Sequence, residues 1–193
     1  MYLRVKSKEN KVKFMNLWKE IAKGRQLPVT DLEERSEAFI LQNKDGKSVG
    51  TIEFIPCNSI SEFSGDLIDI SSDKRILDNI GQTYQVRKMG VKKELVSKFA
   101  LLDLLKIAAL HAKNNNVQYY VSYLEKRHFE SLTKKFKFRL EQIGDEVKLK
   151  KKVCVPALID VEDAITNTKG YPIHIKSIVY MVRGTKKVKS LFA

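Results

Sequence analysis

Residues 83–138 read TYQVRKMGVKKELVSKFALLDLLKIAALHAKNNNVQYYVSYLEKRHFESLTKKFKF, and the order of elements in this stretch decides the fold. Thr83–Val91 predicts a strand. Glu94–Asn114 predicts a helix with apolar residues on almost every side, and Leu101, Leu102, Leu104, Leu105, Ile107, Ala108 and Leu110 are its expected core positions. Val117–Tyr123, rich in Val and Tyr, predicts a second strand, and Glu125–Lys135 a second helix. Two strands joined by a helix are expected to lie parallel. Such a unit places a helix N-terminus beside the end of a strand, where free N–H groups and the helix dipole favour an anion.

Working outward, Tyr2–Val5 predicts a short strand and Asn10–Lys23 a helix, with Val12, Met15, Leu17, Trp18, Ile21 and Ala22 near helical spacing and Gly24 and Pro28 ending it. Asp45-Gly46 between Ala38–Gln42 and Val49–Ile55 is a hairpin signal, closed by Pro56. Cys57–Gln82 reads as a long loop with a short helix near Asp73–Asn79, and a loop this long is often functional. Past the central unit, Val147–Val155 predicts a strand stopped by Pro156, Leu158–Asn167 a short helix, and Ile173–Val182 a final strand. The expectation is an α/β fold, a mixed central β-sheet flanked by helices, in a single domain over residues 1–193.

Composition narrows the function classes. There are 36 Lys and Arg against 23 Asp and Glu, a formal net charge of +13, so polyanionic partners are favoured. The densest basic part is Lys126–Lys152, read either as a solvated face or as a partner-docking patch. Nucleic acid is the less favoured partner, because Phe129, Phe136 and Phe138 there occupy core-like positions and leave no exposed aromatics between the basic residues. No apolar run approaches the roughly 20 residues of a membrane span, and the first residues lack a signal-peptide core, so a cytoplasmic protein is expected. Cys57 and Cys154 read as reduced thiols. His111, His128 and His174 have no metal spacing, so no metal site is expected. Tyr119 and Tyr123 should face one side of their strand and Tyr120 the other.

Several local sequences resemble the GNAT acyltransferases, in particular their autoinducer synthase and N-acyl amino acid synthase branch. Asp45-Gly46-Lys47-Ser48-Val49-Gly50-Thr51-Ile52-Glu53-Phe54-Ile55-Pro56 is similar to that branch's DG-x-x-VGT-x-R-L-I-P hairpin. Tyr84–Val91 resembles its E-[IV]-S-R-[LF]-A-V strand, Phe129–Phe138 the LYEKLGF end of the GNAT core, and Val155–Asp160 a late VP-x-L-x-D segment. The resemblance covers roughly residues 30–165, and it departs from the family pattern in places. Val96–Leu101 has no glycine where GNATs carry a Gly-rich phosphate loop. The branch's strand glutamate falls at Gln85, its arginine at Lys88, and the tyrosine that often serves GNATs as general acid at Thr133.

The resemblance implies an N-acyltransferase that moves an acyl group from a thioester to an amine without a covalent enzyme intermediate. The donor would be acyl-CoA or the phosphopantetheine of an acyl-carrier protein, and the acceptor a small amine. Met89, Gly90 and Val91 would present backbone to pantetheine, while Ser97, Lys98 and Phe99 would hold phosphate at the helix start, with Lys92 and Lys93 adding positive potential. Gln85 and Tyr123 are the candidates at the reacting groups, although glutamine cannot act as a base. An acidic acyl-carrier protein would dock on the Lys126–Lys152 face. The alternative is a non-catalytic GNAT-like protein that binds acyl ligands or a partner. For Gly90 a plain packing role, a bulge or a close approach, stands beside the donor-binding one.

Overall fold

A computed structural model describes residues 1–25, 27, 29–58, 73–95, 98–135, 137–149, 152–167, 169–171, 173 and 175–180. The sheet is mixed and eight-stranded, in the order β1-β2-β3-β4-β5-β8-β6 with β7 also on β8. The strands are β1 Tyr2–Arg4, β2 Glu37–Gln42, β3 Ser48–Pro56, β4 Thr83–Val91, β5 Tyr119–Glu125, β6 Glu141–Gln142, β7 Val147–Leu149 and β8 Lys152–Asp160. The helices are α1 Lys8–Arg25, α2 Lys74–Asp78, α3 Lys98–Asn114, α4 Lys126–Glu130 and α5 Val161–Thr166. The chain forms two compact units, and all three unit boundaries fall inside elements: between Ile55 and Pro56 in β3, between Gln85 and Val86 in β4, and between Ala108 and Ala109 in α3.

The first unit comprises residues 1–55 and 86–108. Its hairpin forms around the expected turn, where Gly46 takes φ 75° and Asn43 folds back on Asp45 and Lys47 through its side chain. Antiparallel pairing puts Ala38 opposite Glu53 and Ile40 opposite Thr51. α1 packs Phe14, Leu17, Trp18, Ile21 and Ala22 against Ala38 and Ile40. These α1 positions follow the i, i+3, i+4 rule of one buried helix stripe.

The second unit comprises residues 56–85 and 109–193. Here β4 pairs in parallel with β5 over Thr83↔Tyr119, Tyr84↔Tyr120 and Gln85↔Val121, and the ladder ends there. β5 pairs along its whole length with antiparallel β8, from Tyr119↔Asp160 to Glu125↔Cys154. Tyr120 faces α3 and hydrogen-bonds His111 Nδ1 at 2.7 Å, while Tyr84 meets the same imidazole edge-on. Tyr119, Val121 and Tyr123 take the other face, packed with Cys57, Ile76 and Leu158. The expected alternation of the tyrosines is therefore present.

Three expectations are corrected. Pro156 does not end a strand but sits inside β8, opposite Tyr123. Its carbonyl accepts from Ile143 N, so its missing N–H points to the same side, where β7 covers only Lys152–Cys154 and β6 only Ala157–Leu158. Proline falls in the gap between those two short partners, at the end of the β6 ladder, where a single bond toward Ile143 is the only one its missing N–H could forgo. Residues 173 and 175–180 are helical, not a strand. Ile175 and Val179 are buried four residues apart, whereas Ile173 and Tyr180 are exposed, which is helical spacing and not strand alternation. Leu101, expected in the core, is exposed, and the buried stripe of α3 is Ala100, Leu104, Ile107 and His111. The long-loop reading falls mainly on residues 59–72, which lie outside the described residues. Among the described residues no helix is long and apolar enough to cross a membrane.

Candidate active site

In the first unit, β4 departs from regular strand at Lys88, whose φ of 46° is left-handed. The burial pattern of β4 changes phase before that point, between Gln85 and Val86: Thr83 and Gln85 are buried, then Val86, Lys88 and Gly90. A left-handed lysine is uncommon, and a chain holds one only where neighbours fix it. The neighbours here are polar and buried. Thr51 Oγ1 donates to the Lys88 carbonyl at 2.7 Å. Lys88 Nζ donates to Glu53 Oε2 at 2.6 Å and to the Asp31 carbonyl at 2.9 Å. Glu33 N donates to the other Glu53 oxygen at 3.1 Å. The Glu53 side chain is 0% exposed and that of Lys88 3%. Two charges are thus buried together with hydrogen bonds satisfying both, the condition under which such a pair is tolerated.

This pair was the element missed in the sequence. Lys88 stands at the family arginine, but Glu53 stands where the quoted family motif carries a second arginine, so the resemblance points to no carboxylate partner. The available signal was a single charge in Val49–Ile55, otherwise an apolar strand.

Beyond Lys88, Met89, Gly90 and Val91 lead through a turn at Lys93–Leu95 into α3 at Lys98. A side chain on Gly90 would meet Ile21 Cγ2 at 2.8 Å, and one on Gly50 would meet the Gly90 carbonyl at 2.7 Å. The Cα of Gly90 therefore faces α1, and close packing alone accounts for glycine there. Arg25 donates to the Val91 carbonyl at 3.1 Å. Lys92, expected to add positive potential, is paired with Glu20 at 2.7 Å, whereas Lys93 is exposed. Ser97 lies outside the described residues. Lys98 and Phe99 begin α3 in its first turn, the one whose N–H groups have no partner within the helix.

In the second unit, Gln85 and Tyr123 share a face. Gln85 is level with Val121 in a parallel pair, and Tyr123 lies two residues further along the same side of β5. Gln85 is buried. The Tyr123 hydroxyl is buried and, among the described residues, has no hydrogen-bond partner. Burial, with Cys154 nearby as the smaller cause, pushes its pKa well above that of an ordinary phenol, so it stays protonated. Burial likewise pushes the Cys154 thiol up, and both cysteines are buried thiols outside any disulfide. The Thr133 hydroxyl donates back to Phe129 and Glu130 carbonyls in a π-turn, so it serves its own helix. At the end of β5, burial raises the Glu125 pKa, but Lys152 at 2.8 Å, with Arg127, outweighs it and holds the carboxyl below its usual range. Among the described residues no cluster of His, Cys, Asp and Glu could hold a metal.

No protein-family model and no curated protein matches the sequence. Solved structures do match the fold. One is TofI in a ternary complex with an inhibitor and MTA, with TM-score 0.64 and 9% identity over 91% of this chain and 99% of that one. This is the fold of the acyl-homoserine lactone synthases. MesI, described as a CoA-dependent acyl-homoserine lactone synthase, matches at TM-score 0.58 and 14% identity over 95% of each chain. FeeM, an N-acyl amino acid synthase from uncultured soil microbes, matches at 0.62 and 12% over 86% of this chain and 93% of its own. Both synthase types of the resemblance drawn from the hairpin and β4 motifs therefore stand among the structural neighbours.

Proposed function

We propose that residues 1–193 act as one N-acyltransferase that takes an acyl group from a thioester to a small amine, in the cytoplasm. The observation that carries this reading is the left-handed Lys88, held by a buried ion pair in the strand that leads to α3, within a fold shared with acyl-homoserine lactone and N-acyl amino acid synthases. The donor is an acyl-CoA, or a carrier protein's acyl-phosphopantetheine. Backbone of Met89, Gly90 and Val91 lies along the pantetheine and polarises the thioester carbonyl, and the first turn of α3, at Lys98 and Phe99, receives the phosphate together with Ser97. The amine attacks the carbonyl carbon, the C–N bond forms, and the C–S bond breaks. The proton lost by the amine balances the departing thiolate. Tyr123, kept protonated by burial, donates a hydrogen bond to that thiolate, and the Gln85 amide orients the amine. Neither residue supplies a base, so the amine must arrive deprotonated or lose its proton to solvent.

The test offers acyl-CoAs of graded chain length with a panel of primary amines and follows thiol release and acylated product by mass spectrometry. Amine-dependent release is expected. A second reading, a non-catalytic acyl-binding protein, is favoured by Gln85 and by the internally bonded Thr133. It predicts thermal stabilisation by acyl-CoA without product. Neither product nor stabilisation with any thioester donor would overturn both.

A further inference from the structure

The basic residues of the chain fall into two kinds. In Lys126–Lys152 several are neutralised locally: Lys126 by Glu146, Arg127 and Lys152 by Glu125, Lys134 by Glu130, and Arg139 by Asp163. On α1, Lys8, Lys11, Lys13, Lys19 and Lys23 are all exposed and, among the described residues, none has an ion pair. The acids of α1 do not offset them fully, because Glu20 is held by Lys92. At 100° per residue, Lys8, Val12, Asn16, Lys19 and Lys23 fall on one outward arc about 22 Å long. Lys11 and Lys19 flank an open hollow of about 320 Å³ whose apolar lining is Val12, Met15 and Leu32. Asn16 and Asp31 complete its lining, so the hollow holds one carboxylate beside its two lysines.

From this we infer that the outward face of α1 is the docking surface for an acidic helical protein, the acyl carrier that brings the donor. The inference rests on the acyl-transfer reading for the identity of the partner. An acidic amphipathic helix matches the surface in both respects: its carboxylates lie along the lysine row while an apolar side chain seats over Val12 and Met15. The face suits nucleic acid less well, since Phe14 and Trp18 are buried and Arg25 is turned in to Val91, leaving no arginine or aromatic to stack on bases. It suits a membrane less well too, since Val12 is the one large apolar residue of α1 that is exposed.

The test measures association of an acidic acyl-carrier protein, with its acyl-phosphopantetheine attached, by stopped-flow anisotropy at low and physiological salt. The proteins compared are wild type, Lys11→Glu/Lys19→Glu/Lys23→Glu, Val12→Glu, and a control, Lys134→Glu/Lys148→Glu. The α1 triple variant should associate at least about tenfold more slowly at low salt and show a flatter salt dependence, since steering is what the charges supply. Val12→Glu should raise the dissociation rate, and the control should match wild type. Thermal stabilisation by short acyl-CoA should be unchanged throughout, which also shows that the variants are folded. Wild-type rates in the α1 variant overturn the docking site, as does loss confined to the control. So does an α1 variant that loses short duplex DNA or anionic vesicles while keeping the carrier. Carrier binding that needs α1 but yields no acylated amine supports the docking site and rejects the acyl-transfer reading. Turnover of acyl-CoA with no carrier binding does the reverse.

Discussion

Replacing Lys88 with methionine removes the ammonium and leaves the Glu53 carboxylate at 0% exposure with, among the described residues, the Glu33 amide alone for a partner. Removing one member of a buried pair costs about 3–5 kcal/mol, because the remaining charge has lost its counter-ion and cannot regain water. The Asp31 carbonyl also loses its donor at 2.9 Å. For a chain of this size each kcal/mol lowers the melting temperature by about 2–4 °C, so a loss near 4 kcal/mol predicts a fall of roughly 8–16 °C. The double variant Glu53→Leu/Lys88→Met removes both charges. It should recover most of that loss, since buried pairs exchanged for apolar residues are often neutral or stabilising. Urea unfolding of wild type, single and double variants gives the coupling directly. A single-variant loss below about 1 kcal/mol, or a double variant no more stable than the single, would refute the claim that this pair is buried and mutually dependent. If the double variant is stable but no longer stabilised by acyl-CoA, the pair acts by positioning β4, not by holding the fold.

Gly90→Val should unfold or strongly destabilise the protein through Ile21 Cγ2, and Gly90→Ala should cost about 1–3 kcal/mol, with Ile21→Leu, which has no Cγ2 branch, restoring part of it by thermal melting. Acyl-CoA affinity in the repacked Gly90→Ala/Ile21→Leu protein then reads the backbone role separately from stability. Tyr123→Phe should leave stability unchanged or raise it by up to about 1 kcal/mol, because the hydroxyl has no partner among the described residues, while turnover falls about 10- to 100-fold if that hydroxyl meets the leaving thiolate. The Arg75 hydrogen bond holds the Asp73 carboxyl below its ordinary range. Its folded pKa is depressed, so its stabilisation is full above the unfolded value of about 3.9 and is lost as pH falls through the folded one. Asp73→Asn should therefore differ from wild type at pH 7 and converge with it in strong acid, measured by urea unfolding.

Much of the fold was legible because local chemistry and tertiary packing agree. Thr83–Val91 carries its strand as read, the Asp45-Gly46 turn sets the hairpin, and Asp73 caps its short helix by accepting from Arg75 N. What escaped was set by distant partners. Pro156 is permitted in β8 only by the gap between β6 and β7, which no local window contains. The region from Ile173 offers apolar residues at spacings of two and of four alike, and only the burial of Ile175 and Val179 chooses between them. At the candidate site, Gln85 and Tyr123 could be put on one face from strand alternation. The Lys88–Glu53 pair joins positions 35 residues apart in the chain, and its left-handed backbone follows from neighbours, not from lysine's own preference.

Glu53 also bears on how the chain is made. β3 leaves the ribosome complete at Pro56, yet the strand that pairs with its outer edge does not begin until Thr83. Through that interval Ile52, Phe54 and Ile55 stand on an unpaired edge, the form in which newly synthesised chains associate wrongly. A carboxylate in the middle of that segment resists stacking against copies of itself, because like charges would lie directly opposite one another. Glu53 is thus a gatekeeper while β3 waits, and Lys88 retires that duty when β4 arrives.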